Sequence, residues 1–241
     1  LFPLAGDANN KWYSPGDDLN RYVGKDSMFV SKVFDWYLSE VGDARRSGQW
    51  QAADEVAGMI DTYQRARSNT ELMSKDKVSA ELLYNKLNVF SLSSKIYLAL
   101  GLSLLVISVL ALFRRTKTIR ILSGIWLGLI IGAFAFHTLG IGMRWYISGQ
   151  APWSNAYESM VYVSWASALA GLLFSRRSQI AVALATFLAG LILFVANLNW
   201  MDPEITPLVP VLKSYWLMLH VAVIMASYGF FGMSFLLGLT S

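Results

Sequence analysis

The 241 residues carry 55% hydrophobic and only 15% charged side chains with no cysteine, a balance that no conventional water-soluble domain shows and that calls for a lipid solvent. Residues 1–93 hold 11 Lys/Arg against 13 Asp/Glu and residues 94–241 hold 9 against 3, so the net charge of +4 is set by the apolar part. A basic excess there reads as an orientation signal and excludes nucleic acid as the partner it would otherwise suggest. The absence of cysteine excludes a disulfide framework, a zinc ribbon, a thiolate-held cluster and a thiol nucleophile within these residues.

In chain order, the first 25 residues are rich in Asn, Asp, Gly and Pro and are expected to be irregular. The opening LFPLAGDANN has no Met, no basic segment and no apolar run, so the sequence is expected to be a piece of a longer polypeptide. Apolar residues at helical spacing from Met28 to Val41 and from Trp50 to Tyr63 predict two helices broken at Gly48, and a third is expected from Lys75 to Leu87. Residues 1–93 thus form a small helical region outside the membrane, with Arg45, Arg46, Arg65 and Arg67 as a solvated face.

A bilayer core of about 30 Å needs roughly 20 apolar helical residues. Five segments are expected to span it: 94–113, 121–147, 157–174, 179–199 and 213–239, which make 94–241 the membrane domain. Arg114, Arg115, Lys117 and Arg120 follow the first span, and Arg176 and Arg177 follow the third. Both basic loops therefore belong on the cytoplasmic side, and residues 1–93, 148–156 and 200–212 face outward. The predicted fold class is an all-α integral membrane protein of five transmembrane helices with a small external N-terminal helical region.

The loop SGQAPWSNAYE is expected to turn at Pro152 and Trp153, with Asn155 capping the next helix and Glu158 completing an imperfect capping box. The later loop NWMDPEITPLVPVLKS has an apolar stripe (Ile205, Leu208, Val209, Val211, Leu212) expected to lie along the membrane surface; Asp202 and Glu204 are too few and too exposed for acid–base chemistry. No phosphate loop, nucleophile elbow, metalloprotease helix or carboxylate pair is found. Gly124, Gly128 and Gly132, spaced by four, are expected to admit a partner helix closely.

His137 and His220 are the only histidines, and both fall within expected spans, where an ionisable group is costly and functional by default. His137 lies roughly 10 Å along its helix from Arg144 and His220 roughly 10 Å from Lys213, so both are nearer the outer face. Three roles are open to them: a hydrogen bond to a neighbouring helix, axial ligation of haem iron, or a proton relay. Trp216 and Ser227 share a face with His220, and Arg144 shares one with His137, supplying an aromatic wall and a cation suited to a propionate. Two readings compete with a haem-handling assembly protein. One is a b-type electron-transfer subunit in which both histidines hold one haem, and the other is a haem-free scaffold.

The runs FHTLGIGMRWYISGQAPWSNAYESMVYVSW (Phe136–Trp165) and PLVPVLKSYWLMLHVAVIMASYG (Pro207–Gly229), with ELLYNKLNVF before the first span, resemble the System II cytochrome c synthases, the fused CcsBA (ResBC) haem exporters and lyases. The resemblance covers nearly the whole chain and is sharpest in R-W-Y-x-S-G-x-x-P-x-x-N-x-Y-E-S and Y-W-L-x-x-H. It implies a multi-pass protein of the bacterial inner membrane, with its N-terminal region on the periplasmic side. Haem b would pass outward and be joined to the thiols of a CxxCH apocytochrome c. It implies that His137 is the transmembrane haem histidine of the CcsA-type half and His220 the first external axial histidine, the residue on which lyase catalysis depends. Arg144 and Trp216 would stand beside the haem. The second histidine of each pair and the motif W-G-x-x-W-x-W-D are not in this sequence. They are expected in the CcsB-type and C-terminal parts of the polypeptide or complex, and the piece alone is expected to be inactive as a lyase.

Overall fold

The structure, a computed structural model, describes residues 1–7, 11–69, 72–114, 116–198, 201–205 and 214–240. Two compact units divide between Ser74 and Lys75, not at the hydropathy boundary after residue 93. The third N-terminal helix, Lys75–Leu87, packs with the apolar helices, which moves the division toward the N-terminus.

In the first unit, β1 (Phe2–Pro3) and β2 (Trp12–Tyr13) pair antiparallel, a short ladder within the stretch expected to be irregular. The helix α1 (Lys25–Ser47) overruns its periodic segment at both ends, and α2 (Gln51–Arg67) starts one residue after Trp50 and runs four residues past Tyr63. Gly48 ends α1 at φ 79°, a left-handed cap that glycine adopts without strain. Phe2, Tyr13, Tyr22, Val30, Val33 and Val56 form the core of this unit. Burial pushes the Tyr63 phenol up to about 12. Arg46 pairs with Asp43, Arg65 with Asp61 and Arg67 with Asp26, all partly exposed, as a solvated face should.

The second unit contains α3 (Lys75–Leu87), α4 (Val89–Phe113), α5 (Lys117–Ser148), α6 (Ala156–Leu173), α7 (Gln179–Ala196) and α8 (Tyr215–Thr240). Asn88, the only non-glycine with positive φ among the described residues (43°), separates α3 from α4 in a conformation that Asn tolerates better than most residues. Four helical stretches are long and apolar enough to cross a membrane: Lys75–Phe113, Lys117–Ser148, Gln179–Ala196 and Tyr215–Leu239. The expected span at 157–174 is present as a helix but falls short of that apolarity, so the count of five is not reached on this ground. Its physical reason is position: α6 packs against α5, α7 and α8, and its Ser164, Ser167, Ala168, Ala170 and Gly171 are buried against protein. The exterior of the other helices is apolar, with Leu112, Phe113, Ile125, Val223, Phe231 and Phe235 all exposed, as a lipid-facing surface must be.

Small residues set the helix crossings. A methyl group built on Gly101 would sit 2.5 Å from the Phe187 amide nitrogen, and one on Gly190 2.7 Å from that of Leu98, so α4 and α7 touch backbone to backbone. Gly229 does the same for α8 with α6, where a methyl group would sit 2.8 Å from the Ser167 amide nitrogen, and one on Gly171 would sit 2.5 Å from the Ala185 methyl of α7. Hydroxyls then reach across: Ser94 donates to the Gly190 carbonyl (3.1 Å) and Ser164 to that of Ala189 (2.8 Å). The stripe Gly124, Gly128 and Gly132 behaves otherwise. Nothing lies within 4 Å of a methyl group placed on any of the three, so no described helix of this chain uses the close approach expected there. The apolar stripe from Leu208 to Leu212, and Lys213, fall outside the described residues.

Candidate functional site

His137 sits in the interior of the second unit, on the face of α5 that meets α4 and α6, and is 0% exposed. Phe90 meets its ring edge-on at 5.6 Å between centroids and Tyr97 meets it tilted at 5.7 Å, both from α4. Gly140 makes this approach possible, since a methyl group there would lie 2.6 Å from Val89. Among the described residues neither imidazole nitrogen has a hydrogen-bond partner of good geometry, although the Val161 backbone of α6 lies within hydrogen-bonding reach. A buried imidazole in this state forfeits the interactions it had with water, a cost of about 1–3 kcal/mol unless something else bonds it.

Seven residues on, Arg144 occupies the same face and is 1% exposed. Its Nε donates to Glu158 Oε1 at 2.8 Å, Nη1 to the Pro203 carbonyl at 2.7 Å and the Tyr84 hydroxyl at 3.3 Å, and Nη2 to the Glu204 carbonyl at 2.9 Å. The guanidinium lies 5.3 Å from the Tyr157 ring centroid. This one cation therefore ties α3, α5, α6 and the turn at 201–205 together. The cation assigned to a propionate from sequence is engaged by the chain itself.

Glu158, 2% exposed, is held from the other side. Asn155 caps α6 by accepting from the Glu158 amide at 2.8 Å, as its spacing suggested. The return bond goes one residue further back: Glu158 Oε2 accepts from the Ser154 amide (2.8 Å) and hydroxyl (2.7 Å). The capping pattern is thus merged with a buried ion pair, and sequence reading found the cap without the pair. Tyr84, Tyr157 and Phe90, which border Arg144 and His137, also line a recess of about 260 Å³.

His220 is exposed on α8, as are Trp216 (76%) and Tyr215, whose rings meet edge-on at 6.0 Å. Ser227, expected on this face, donates to the Ile224 carbonyl of its own helix. The helix packs mainly on α6 and α7, and the two histidines stand in different surroundings, one enclosed and one open. The Trp153 indole donates to the Met218 carbonyl at 3.2 Å, which fixes the 149–155 loop to α8 two residues before His220. From Trp153 a series of rings continues through Tyr162 (5.0 Å) and Trp165 (5.7 Å) to Phe134 (5.5 Å), an arrangement whose partners come from two helices and a loop. Among the described residues no group of His, Cys, Asp and Glu could hold a bare metal ion.

These features define a multi-pass, predominantly helical membrane protein with one sealed and one open imidazole. Residues 153–241 match the model of the Cytochrome C assembly protein family. The chain is similar to Protein NrfI of Wolinella succinogenes, with 40% identity over 241 residues, 99% of this chain and 26% of that protein. It is also similar to the cytochrome c biogenesis protein CcsA of Prochlorococcus marinus strain MIT 9303, 45% identical over 97 residues covering 38% of this chain and 30% of the relative. The CcsA of strain AS9601 is 33% identical over 162 residues, 65% of this chain and 49% of the relative. The chain spans about a quarter of NrfI and less than half of these two CcsA proteins.

Proposed function

We propose that this chain is part of a cytochrome c biogenesis protein that carries haem b outward across the bacterial inner membrane. It would then present that haem for covalent attachment to a CxxCH apocytochrome c. The observation that carries the reading is His137: a wholly buried imidazole, walled by Phe90 and Tyr97, whose two nitrogens lack a well-formed bond among the described residues. A neutral ring nitrogen of this kind is suited to axial coordination of iron. The similarity of residues 153–241 to cytochrome c assembly proteins supports the same cargo.

The two histidines fit haem differently. His220 lies on an open face beside Trp216, where a flat macrocycle can stack on the indole while the imidazole approaches the iron. His137 has the donor chemistry, but its packed neighbours leave no slot for the whole macrocycle as the helices stand, so haem at His137 requires Phe90 or Tyr97 to move. Arg144 acts here as the tie that holds the helix end carrying His137, since its donors already face Glu158, Pro203 and Glu204. At the open site the chain's task is to bind and orient; each thioether forms when an S–H of the apocytochrome adds across a haem vinyl group. The remaining CcsB-type and C-terminal parts of the polypeptide or complex would complete both sites.

A single haem gripped by both histidines, as an electron-transfer subunit would need, is disfavoured because α8 packs on α6 and α7 and leaves His220 exposed while His137 is enclosed. In the intact protein, His220→Ala should abolish haem-stained cytochrome c, with added imidazole restoring part of it by filling the vacated ligand position. Unchanged covalent attachment in that variant would overturn the reading.

A further inference from the structure

The basic end of the helix bundle contains a second polar site, remote in sequence from both histidines. A cavity of about 420 Å³ lies where the C-terminal turns of α4 meet the first turns of α5 and α7. Ser108 and Ser123 line it, 3% and 4% exposed, and neither hydroxyl has a hydrogen-bond partner among the described residues. Arg120 and Arg177 border the same space. The nearest acidic residues in sequence are Asp76 and Glu81 on one side and Glu158 on the other, and no ion pair to either arginine occurs among the described residues.

Helix geometry adds to this field. Thr116 caps α5 by accepting from the Ile119 amide, and Ser178 caps α7 by accepting from that of Ala181. Gln179 and Ile180, in the first turn of α7 and lining the cavity, carry amides that have no intrahelical acceptor by position. Two helix N-termini, two arginines and two unpartnered buried hydroxyls thus converge on one volume, and every one of them favours an oxyanion.

We propose that this cavity binds the phosphate of an anionic phospholipid headgroup, with Arg120 and Arg177 pairing its charge and Ser108 and Ser123 donating to its oxygens. Free phosphate offers the same chemistry, but the surroundings favour the lipid. Leu112 lines the cavity and is 67% exposed, and beside it Phe113 (82%) and Ile121 (55%) continue an apolar surface on which acyl chains can lie. Basic pockets between transmembrane helices are a recurrent means of holding such headgroups. The site is independent of the haem reading, since it uses none of the same residues.

The test is native mass spectrometry of the intact protein released from nanodiscs that contain equal phosphatidylglycerol and phosphatidylcholine. Wild type should retain phosphatidylglycerol in preference by about tenfold or more, and Ser123→Ala should lower that retention several-fold. Arg120→Gln with Arg177→Gln should remove the preference, whereas Arg114→Gln with Arg176→Gln, the same charge loss outside the cavity, should keep it. Both arginine pairs are exposed, so folding, followed by the thermal transition, should be preserved in each. Equal loss in the two double variants would show diffuse surface attraction and overturn the site. Displacement of the lipid by inorganic phosphate at matched concentration would overturn the lipid assignment.

Discussion

At the scale of single residues, the Arg144–Glu158 pair carries the largest electrostatic consequence. Both side chains are almost wholly out of solvent and 2.8 Å apart, so deleting one leaves the other's charge buried without compensation. Glu158→Ala should cost about 3–5 kcal/mol in the unfolding free energy of the detergent-solubilised protein, whereas Arg46→Ala, at an exposed pair, should cost less than about 1 kcal/mol. Arg144→Lys should resemble Glu158→Ala, because an ammonium cannot reach a carboxylate, a hydroxyl and two carbonyls in different directions at once. A double variant less damaging than the two singles combined would register the coupling directly. The sequence showed a cation on the His137 face and a cap at Asn155. It did not show that Glu158 divides its two oxygens between the capping turn and that cation, because the partners lie on different helices and two of the acceptors are main-chain oxygens of a short turn.

For whole elements, helix positions were largely legible and helix contacts were not. Runs of apolar residues bounded by Arg114 and Lys117, or by Ser178 and Asn197, mark helix ends within a few residues, since capping and hydropathy are local properties. Close approach depends on two faces meeting, and one helix's spacing reports only one of them. The regular glycines 124, 128 and 132 therefore drew attention that belonged to Gly101, Gly190, Gly171 and Gly229, which carry no regular spacing within a single helix. Gly101→Ala should lower the thermal midpoint through about 1–3 kcal/mol of overpacking, because the added methyl meets the backbone of Phe187 and that backbone cannot step aside. Gly128→Ala should be neutral or stabilising by up to about 1 kcal/mol, through helix propensity alone. A loss at Gly128 as large as at Gly101 in the intact protein would mean that a segment beyond these residues fills the groove.

The molecule as a whole turns on whether α6 crosses the bilayer. Its 18 residues rise roughly 27 Å, close to the hydrocarbon thickness. Its shortfall in apolarity comes from Tyr157, Glu158 and a series of small and hydroxylated residues buried against protein, and such residues carry no penalty when lipid never touches them. If α6 crosses, Arg176 and Arg177 lie on the same side as Arg114, Arg115, Lys117 and Arg120, which satisfies the positive-inside rule. If it does not, the two basic clusters face opposite sides and α7 and α8 are inverted. These 241 residues contain no cysteine, so each single substitution within them introduces one thiol whose labelling is read against the unsubstituted protein. In spheroplasts, Gln150→Cys and Ser214→Cys should react with a membrane-impermeant maleimide, while Lys117→Cys and Arg176→Cys should react only after permeabilisation. Labelling of positions 150 and 176 from the same side would remove the fifth crossing. The expected pattern instead leaves His220, six residues and roughly 9 Å into the helix from Ser214, within reach of the outer surface.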